Sequence, residues 1–477
     1  MHDLSQESWR SKRDLQDRLV ALIASLGYRY LETPILELTD LFMRKSGGEL
    51  ASRIYSFTDP GSNSVSLRPE FTSSIMRHYL ENATTTDLPA RWQYAGPVFR
   101  YEVSHPEASG QFTQIGAELV GASSILADLE VLDLAAQVLS QLDLADWRLE
   151  LADLDLLNSV LDAAGVSERA RTFIIGSVPR LRQGRQPIPQ LLEEARQLRL
   201  TGQTTEDDYL GQAIEGLDDG RARVVLRGLL QWSDAGQLGQ RNPDEVVDRL
   251  LRKLRGSDNE DTLRHGLELA SDLAAIRGAP KSALNAAEAV VRAAGADDIA
   301  FQRLFELLDL ALSDPEIAGH LSLDFGLVRG LAYYNGIVFE VKHPASPASL
   351  GGGGRYDGLA KALGSEEPVP ALGFAYNLEA LISIGGGSGA VAGWADGGGR
   401  SPPEGSAGPE VLVVSAGAGG YRHALTATKE LRQQGVQAEL EVGGLDLQQA
   451  LAYANKKGIA RVVLVHQDGR RAIHTLE

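Results

Sequence analysis

Strand-type segments in this chain fall into two blocks, separated by a long stretch, residues 146–319, in which Leu, Ala, Arg and Glu dominate and helix signals follow one another. The first block contains RWQYAGPVFRYE (91–102) and GQFTQIGAELVG (110–121), two β-rich runs joined by a polar loop. That arrangement predicts an antiparallel hairpin with a long connection. YRYLETPILE (28–37) and SVSLRPE (64–70) read as further strands, and FTSSIMRHYLEN (71–82) returns to helical period. Strands resume with LSLDFGLV (321–328), AYYNGIVFEVKH (332–343) and PALGFAYNLEALI (370–382). An antiparallel sheet begun in the first third is therefore expected to be completed only after residue 320. The fold class is α+β with a helical insertion.

Residues 385–408 are rich in Gly, Ser and Pro and have no periodicity, which marks a linker. Beyond it EVLVVSA (410–416), VQAELEV (436–442) and ARVVLVHQ (460–467) alternate with two helical segments that stop at Gly435 and Gly458. Residues 409–477 thus predict a small α/β domain with a mostly parallel sheet. The expected organisation is a core of residues 1–145 and 320–384, the insertion 146–319, the linker and this last domain.

No apolar run is long enough to span a bilayer, and the polar N-terminus is not a secretory signal. The chain has no cysteine, so disulfides and Cys-ligated zinc are excluded and no metal site is expected. A cytoplasmic location is the default. The net charge of −18 lowers the expectation of nucleic-acid binding through the overall field, although an acidic protein can carry a local basic patch.

Five stretches, LETPILE, LRPEFT, FRYE with QFTQIGAELVG, VRGLAYYNGIVFE with LGGGGRYDGL, and PALGFAYNLEALI, occur in an order that resembles histidyl-tRNA synthetase. The same order is found in its non-catalytic paralogue, the regulatory subunit of short-form ATP phosphoribosyltransferase, which the chain resembles most. The likeness covers residues 1–145 and 320–385, and implies a class II aminoacyl-tRNA synthetase-like core. The last domain looks like an anticodon-binding domain that stops about a strand early.

The resemblance places Glu70, Thr72, Gln114, Glu118, Tyr333, Tyr334 and Tyr356 at amino-acid-binding positions. It matches Arg329 with an arginine that contacts substrate carboxylate and activated phosphate, and Arg100 joins the histidine-binding set. Histidine offers an ammonium, a carboxylate and an imidazole, so acids, a cation and hydroxyls suit it. Taken singly, a strand Glu or a Tyr pair is most often structural, and Gly351–Gly354 reads equally as a hairpin turn or as a close backbone approach to ligand.

Adenylation demands more, because three phosphates must be held. By the resemblance, family arginines of the hairpin loop align with Gly110, Val103 and Ala108, and the final ATP-clamping arginine aligns with Ala380. Arg100 and Glu102 remain, while Arg91 and Arg355 are cations that could reach in. Each lost phosphate contact removes about 1.5–3 kcal/mol. The expectation is accordingly a non-catalytic paralogue that binds histidine and regulates ATP phosphoribosyltransferase in histidine biosynthesis, as a homodimer partnered by a short-form catalytic subunit, with no cofactor. The alternative is a divergent histidine–tRNA ligase using ATP, Mg and histidine tRNA, with Arg329 and Arg100 catalytic.

Overall fold

A computed structural model of the chain describes residues 3–44, 52–101, 110–142, 144–198, 200–201, 217, 219–232, 247, 258–329, 333–385 and 409–476. Glu102, Val103, Ala108 and all but the first residue of the 385–408 linker lie outside the described residues. The chain divides into two compact units, one of residues 1–154, 302–323 and 329–477, the other of residues 155–301 and 324–328.

The larger unit opens with the Gln6–Ser25 helix, capped by the Ser5 hydroxyl and buried through Leu15, Leu19 and Ile23. Its strands are β1 (Arg29–Tyr30), β2 (Leu36–Leu38), β3 (Ser56–Thr58), β4 (Ser64–Leu67), β5 (Ala90–Phe99), β6 (Gln111–Val120) and β7 (Arg148–Asp153). After β8 (Arg277–Gly278) of the smaller unit come β9 (Leu321–Asp324), β10 (Ile337–Lys342), β11 (Gly351–Arg355) and β12 (Ala371–Asn377). The main sheet runs β1-β5-β6-β12-β11-β10-β7-β9, and β2-β4-β3 form a small separate sheet. β5 and β6 pair antiparallel from Phe99↔Gln111 to Ala90↔Val120, as the hairpin reading expects. β12 then pairs with β6, so sequence-distant strands do complete one sheet.

Two features differ from the sequence reading. Arg148–Asp153 is a buried strand within the stretch whose composition reads as helix. RLELAD carries no β-branched residue, and its pairing with β10 along its whole length overrides that local preference. Gly351–Gly354, moreover, forms no turn but the strand β11, between β10 and β12. A Cβ at Gly351 or Gly353 would strike the backbone of β12, and one at Gly352 would strike the Arg329 guanidinium and the Phe339 carbonyl. Close approach is what these glycines permit.

The Ile125–Ser140 helix is buried on almost all sides, including Asp128, Glu130 and Asp133. Each acid has a cation. Arg355 grips Asp128 through Nε (2.9 Å) and Nη2 (2.6 Å), and Arg91 grips Glu130 through Nε (2.7 Å) and Nη2 (2.9 Å). Lys429 Nζ lies 2.7 Å from Asp133.

The last part of the chain forms β13 (Val411–Ser415), β14 (Ala438–Leu440), β15 (Arg461–Val465) and β16 (Arg471–Thr475) in the order β14-β13-β15-β16. The first three are parallel, and β16 adds an antiparallel edge not foreseen in the sequence. Its alternating intermediate and exposed residues, RAIHT, bury little and so give a weak strand signal. This part sits on the core through Arg91, whose Nη1 donates to Glu439 (2.9 Å) and whose Nη2 donates to the Leu440 carbonyl (2.9 Å).

Candidate active site

On β6 the two-residue period turns Gln114, Gly116 and Glu118 to one face of the sheet. Glu118 is the centre of what gathers there. Its Oε1 accepts from the Thr72 hydroxyl at 2.7 Å and from the Tyr94 phenol at 3.1 Å, and its Oε2 accepts from Tyr356 at 2.5 Å. A Cβ at Gly373, the residue opposite on β12, would overlap Glu118 Oε2, so the carboxylate occupies space a glycine leaves open. Burial pushes the Glu118 carboxyl up to about 7, with nearby Glu70 adding to the rise and the Tyr356 and Thr72 hydroxyls opposing it.

Glu70 precedes the Thr72–Glu81 helix and accepts from the Ser73 amide at 3.1 and 3.2 Å. Burial raises its pKa against those bonds and the attraction of Arg100. The Tyr94, Tyr333 and Tyr356 phenols are pushed far up, first by burial, and stay neutral donors. Tyr333 packs against Tyr334 (4.9 Å between rings) and edge-on to Tyr356 (5.8 Å).

At the outer end, Arg100 donates through Nε to the Pro69 carbonyl (2.8 Å) and lies over the Phe112 ring, while Arg329 Nη1 donates to the Phe339 carbonyl (3.1 Å). Burial lowers the Arg100 pKa; Glu70 opposes this, and both Arg329 and Arg53 push it further down by like-charge repulsion. All nine residues singled out from the sequence, Glu70, Thr72, Arg100, Gln114, Glu118, Arg329, Tyr333, Tyr334 and Tyr356, line one cavity. Tyr94 lines it too and was missed. Its one sequence signal was its place in the strand leading into FRYE; in the fold its ring stacks on Phe71 at 4.3 Å.

The cavity is almost closed, at about 20 Å³, which is room for about one water. The Gln114 Oε1 is buried and has no hydrogen-bond partner among the described residues, an acceptor left for a ligand donor.

The other cations considered from sequence go elsewhere. Arg91 and Arg355 are held by Glu130, Glu439 and Asp128 and do not line the cavity. A different one comes close. Backbone pairing of Tyr101 N with the Arg53 carbonyl (2.8 Å) and of Leu67 N with the Tyr55 carbonyl (3.0 Å) sets residues 53–55 beside the start of the hairpin loop. Arg53 Nε also donates to the Tyr101 carbonyl at 3.3 Å. Tyr55 fills the space over Gly110, where a Cβ would overlap its hydroxyl. A side chain at this position, which aligns with a family arginine, would require Tyr55 to move.

A large antiparallel-rich sheet with this pocket on one face and a buried helix behind it defines a class II aminoacyl-tRNA synthetase-type core. The sequence profile of the histidyl-tRNA synthetase family matches residues 1–180 and 237–381. The chain belongs to that family. It is 29% identical to a protein of Pyrococcus furiosus named histidine–tRNA ligase, over 99% of this chain and 92% of the relative. It is 30% identical to one of the same name in Thermococcus kodakarensis, over 97% and 89%. Among solved structures it superposes on a Bacillus halodurans protein described as an ATP phosphoribosyltransferase regulatory subunit/histidyl-tRNA synthetase. That match has a TM-score of 0.54 and 19% identity, covers 98% of this chain and 97% of the other, and bears on fold alone.

These relatives overturn the expectation of a non-catalytic regulator of ATP phosphoribosyltransferase, because near full-length sequence kinship runs to proteins named as ligases. Among the described residues no helix is long and apolar enough to cross a membrane.

Proposed function

We propose that this chain is a histidine–tRNA ligase, activating histidine with ATP and transferring it to histidine tRNA. The observation that carries the reading is the closed ring of donors and acceptors around Glu118, with guanidinium groups at its outer end. The Glu118 and Glu70 carboxyls and the orphan Gln114 oxygen suit the ammonium and imidazole N–H groups of histidine, and Arg329 suits its carboxylate. Arg100 and Arg329 then face the α-phosphate, where the histidine carboxylate oxygen bonds to phosphorus as the bond to pyrophosphate breaks, and their charge stabilises the pentacoordinate transition state. Magnesium belongs to the reading as the counter-ion of the ATP phosphates. The reading includes a cytoplasmic location and a tRNA contact through residues 409–477.

Histidine-dependent ATP–pyrophosphate exchange on the purified chain is the direct test. Exchange well above background supports a ligase; none, with folded protein that binds histidine, refutes it.

Arg53 belongs to the same reading as a third phosphate-side cation, compensating for the arginines absent at Gly110 and Ala380. Arg53→Ala is expected to raise the KM for ATP roughly tenfold, the scale of one charge-assisted contact, with the KM for histidine unchanged. Arg53→Lys should restore part of the loss. An unaltered KM for ATP would remove Arg53 from the site.

Ile35, Leu36 and Leu38 on and beside β2 and Phe57 on β3 are 43–57% exposed, an apolar strip suited to burial against a second copy of the chain. A homodimer is therefore part of the proposal. Sedimentation of a dimer at micromolar concentration is expected, converted to monomer by Leu38→Glu; a wild-type monomer would sink it.

A further inference from the structure

A second cavity, about 430 Å³, lies between the outer strands β1 and β5 of the main sheet and the Leu447–Lys457 helix. That volume is in the range of small-ligand sites, about 300–1,000 Å³. Arg29, Arg91, Lys456 and Lys457 all reach it. Arg91 is neutralised by Glu130 and Glu439, and Lys456 by Asp87. Among the described residues Arg29 and Lys457 are held in no ion pair. Lysines in the last turn of a helix ordinarily favour its dipole from solvent. Lys457 instead is half-buried, its ammonium 5.1 Å from the Tyr453 ring centre. Burial holds its pKa below the ordinary lysine value, and Arg29 and Arg91 push the same way against Glu439.

Asp87 and Glu439 line the same cavity and attract Lys457, yet each is already ion-paired, with Lys456 and Arg91, so Arg29 and Lys457 leave the space with a surplus of positive charge that an anion would offset. On a chain of net charge −18 such a spot is no part of a general basic surface. The His78 imidazole, edge-on to Trp92 at 5.6 Å, lines the same space and supplies a further N–H.

We propose that this cavity binds a phosphate group, gripped by Arg29 and Lys457 with His78 as a third donor. The cavity exceeds what a bare ion fills, so the phosphate belongs to an ester, either in an RNA backbone or on a small metabolite. The site is separate from the Glu118 pocket; its RNA-backbone source rests on the tRNA contact proposed for residues 409–477, and its small-ester source does not.

Calorimetric titration of the full chain with inorganic phosphate, and separately with a 12-nucleotide single-stranded RNA, tests it. Affinity for at least one probe should fall tenfold or more in the Arg29→Gln/Lys457→Gln variant, in which the Glu118 pocket and its arginines are untouched. Arg29→Gln alone, at an exposed position, serves if the double variant unfolds. Loss confined to RNA, with a shallower salt dependence, assigns backbone phosphates as the source. Loss seen with free phosphate assigns a small phosphate ester. Identical isotherms for wild type and variant, or no binding of either probe, overturn the proposal.

Discussion

Glu118→Gln is expected to separate stability from function, raising the stability of the unliganded protein above pH 7 while weakening histidine binding about 10- to 100-fold, the scale of a lost charge-assisted contact. The stability effect follows from linkage. Burial raises the folded carboxyl to about 7 from an ordinary value of 4.5, so the native state holds a proton more tightly than the unfolded chain. The wild type is therefore most favoured below pH 4.5 and loses that contribution as pH rises through about 7. The loss amounts to something on the order of 3 kcal/mol at 1.36 kcal/mol per pKa unit. Glutamine has no such titration. The difference in melting temperature between variant and wild type should grow from pH 5 to pH 8, and a difference that stays flat would show that Glu118 is not the titrating group. Histidine affinity measured by calorimetry on the same samples reports the second half. An unchanged dissociation constant would exclude Glu118 from the ligand pocket.

Removing the guanidinium of Arg91 should be the most damaging single change outside that pocket. Arg91→Ala leaves Glu130 and Glu439, both buried, without their cation. Breaking a buried pair from one side costs about 3–5 kcal/mol, because the remaining charge stays desolvated. The same side chain joins β5 to β14, so the region from residue 409 onward should be released from the core by limited proteolysis far sooner than in wild type. Lys456→Ala is the control. Its ion pair with Asp87 is 70% exposed on the lysine side, and exposed pairs contribute about 0–1 kcal/mol. Equal melting and equal proteolysis for the two variants would show that Arg91 does not hold the parts together.

The absence of loop arginines pointed to a regulator, a reading that near full-length kinship to proteins named histidine–tRNA ligase overturns. Charge acts through space. A triphosphate is stabilised by any guanidinium near it, whichever segment supplies it. Gly110 and Ala380 are visible in the sequence as missing cations. That Arg53 approaches Arg100 is not, because the approach depends on the pairing of residues 53–55 with Tyr101 and Leu67.

Periodicity and glycine and proline placement determined, from the sequence alone, the α+β class, the β5–β6 hairpin and the late return of strands to complete the sheet, while the family resemblance of short motifs implied the nine residues that line the first cavity. These are legible because strand alternation and short motifs are local properties of the chain. Tertiary structure alone decided the rest. It made a strand of four glycines and of RLELAD, since neighbours on both sides of β11 and the length of β10 outweigh intrinsic preference. It sent Arg91 and Arg355 to buried acids instead of a nucleotide, since an acid in a helix desolvated on nearly every side must be matched wherever a cation can reach it. And it brought Arg29 and Lys457, more than four hundred positions apart in the chain, to one cavity, because contacts between distant segments are set by packing and not by anything either segment carries alone.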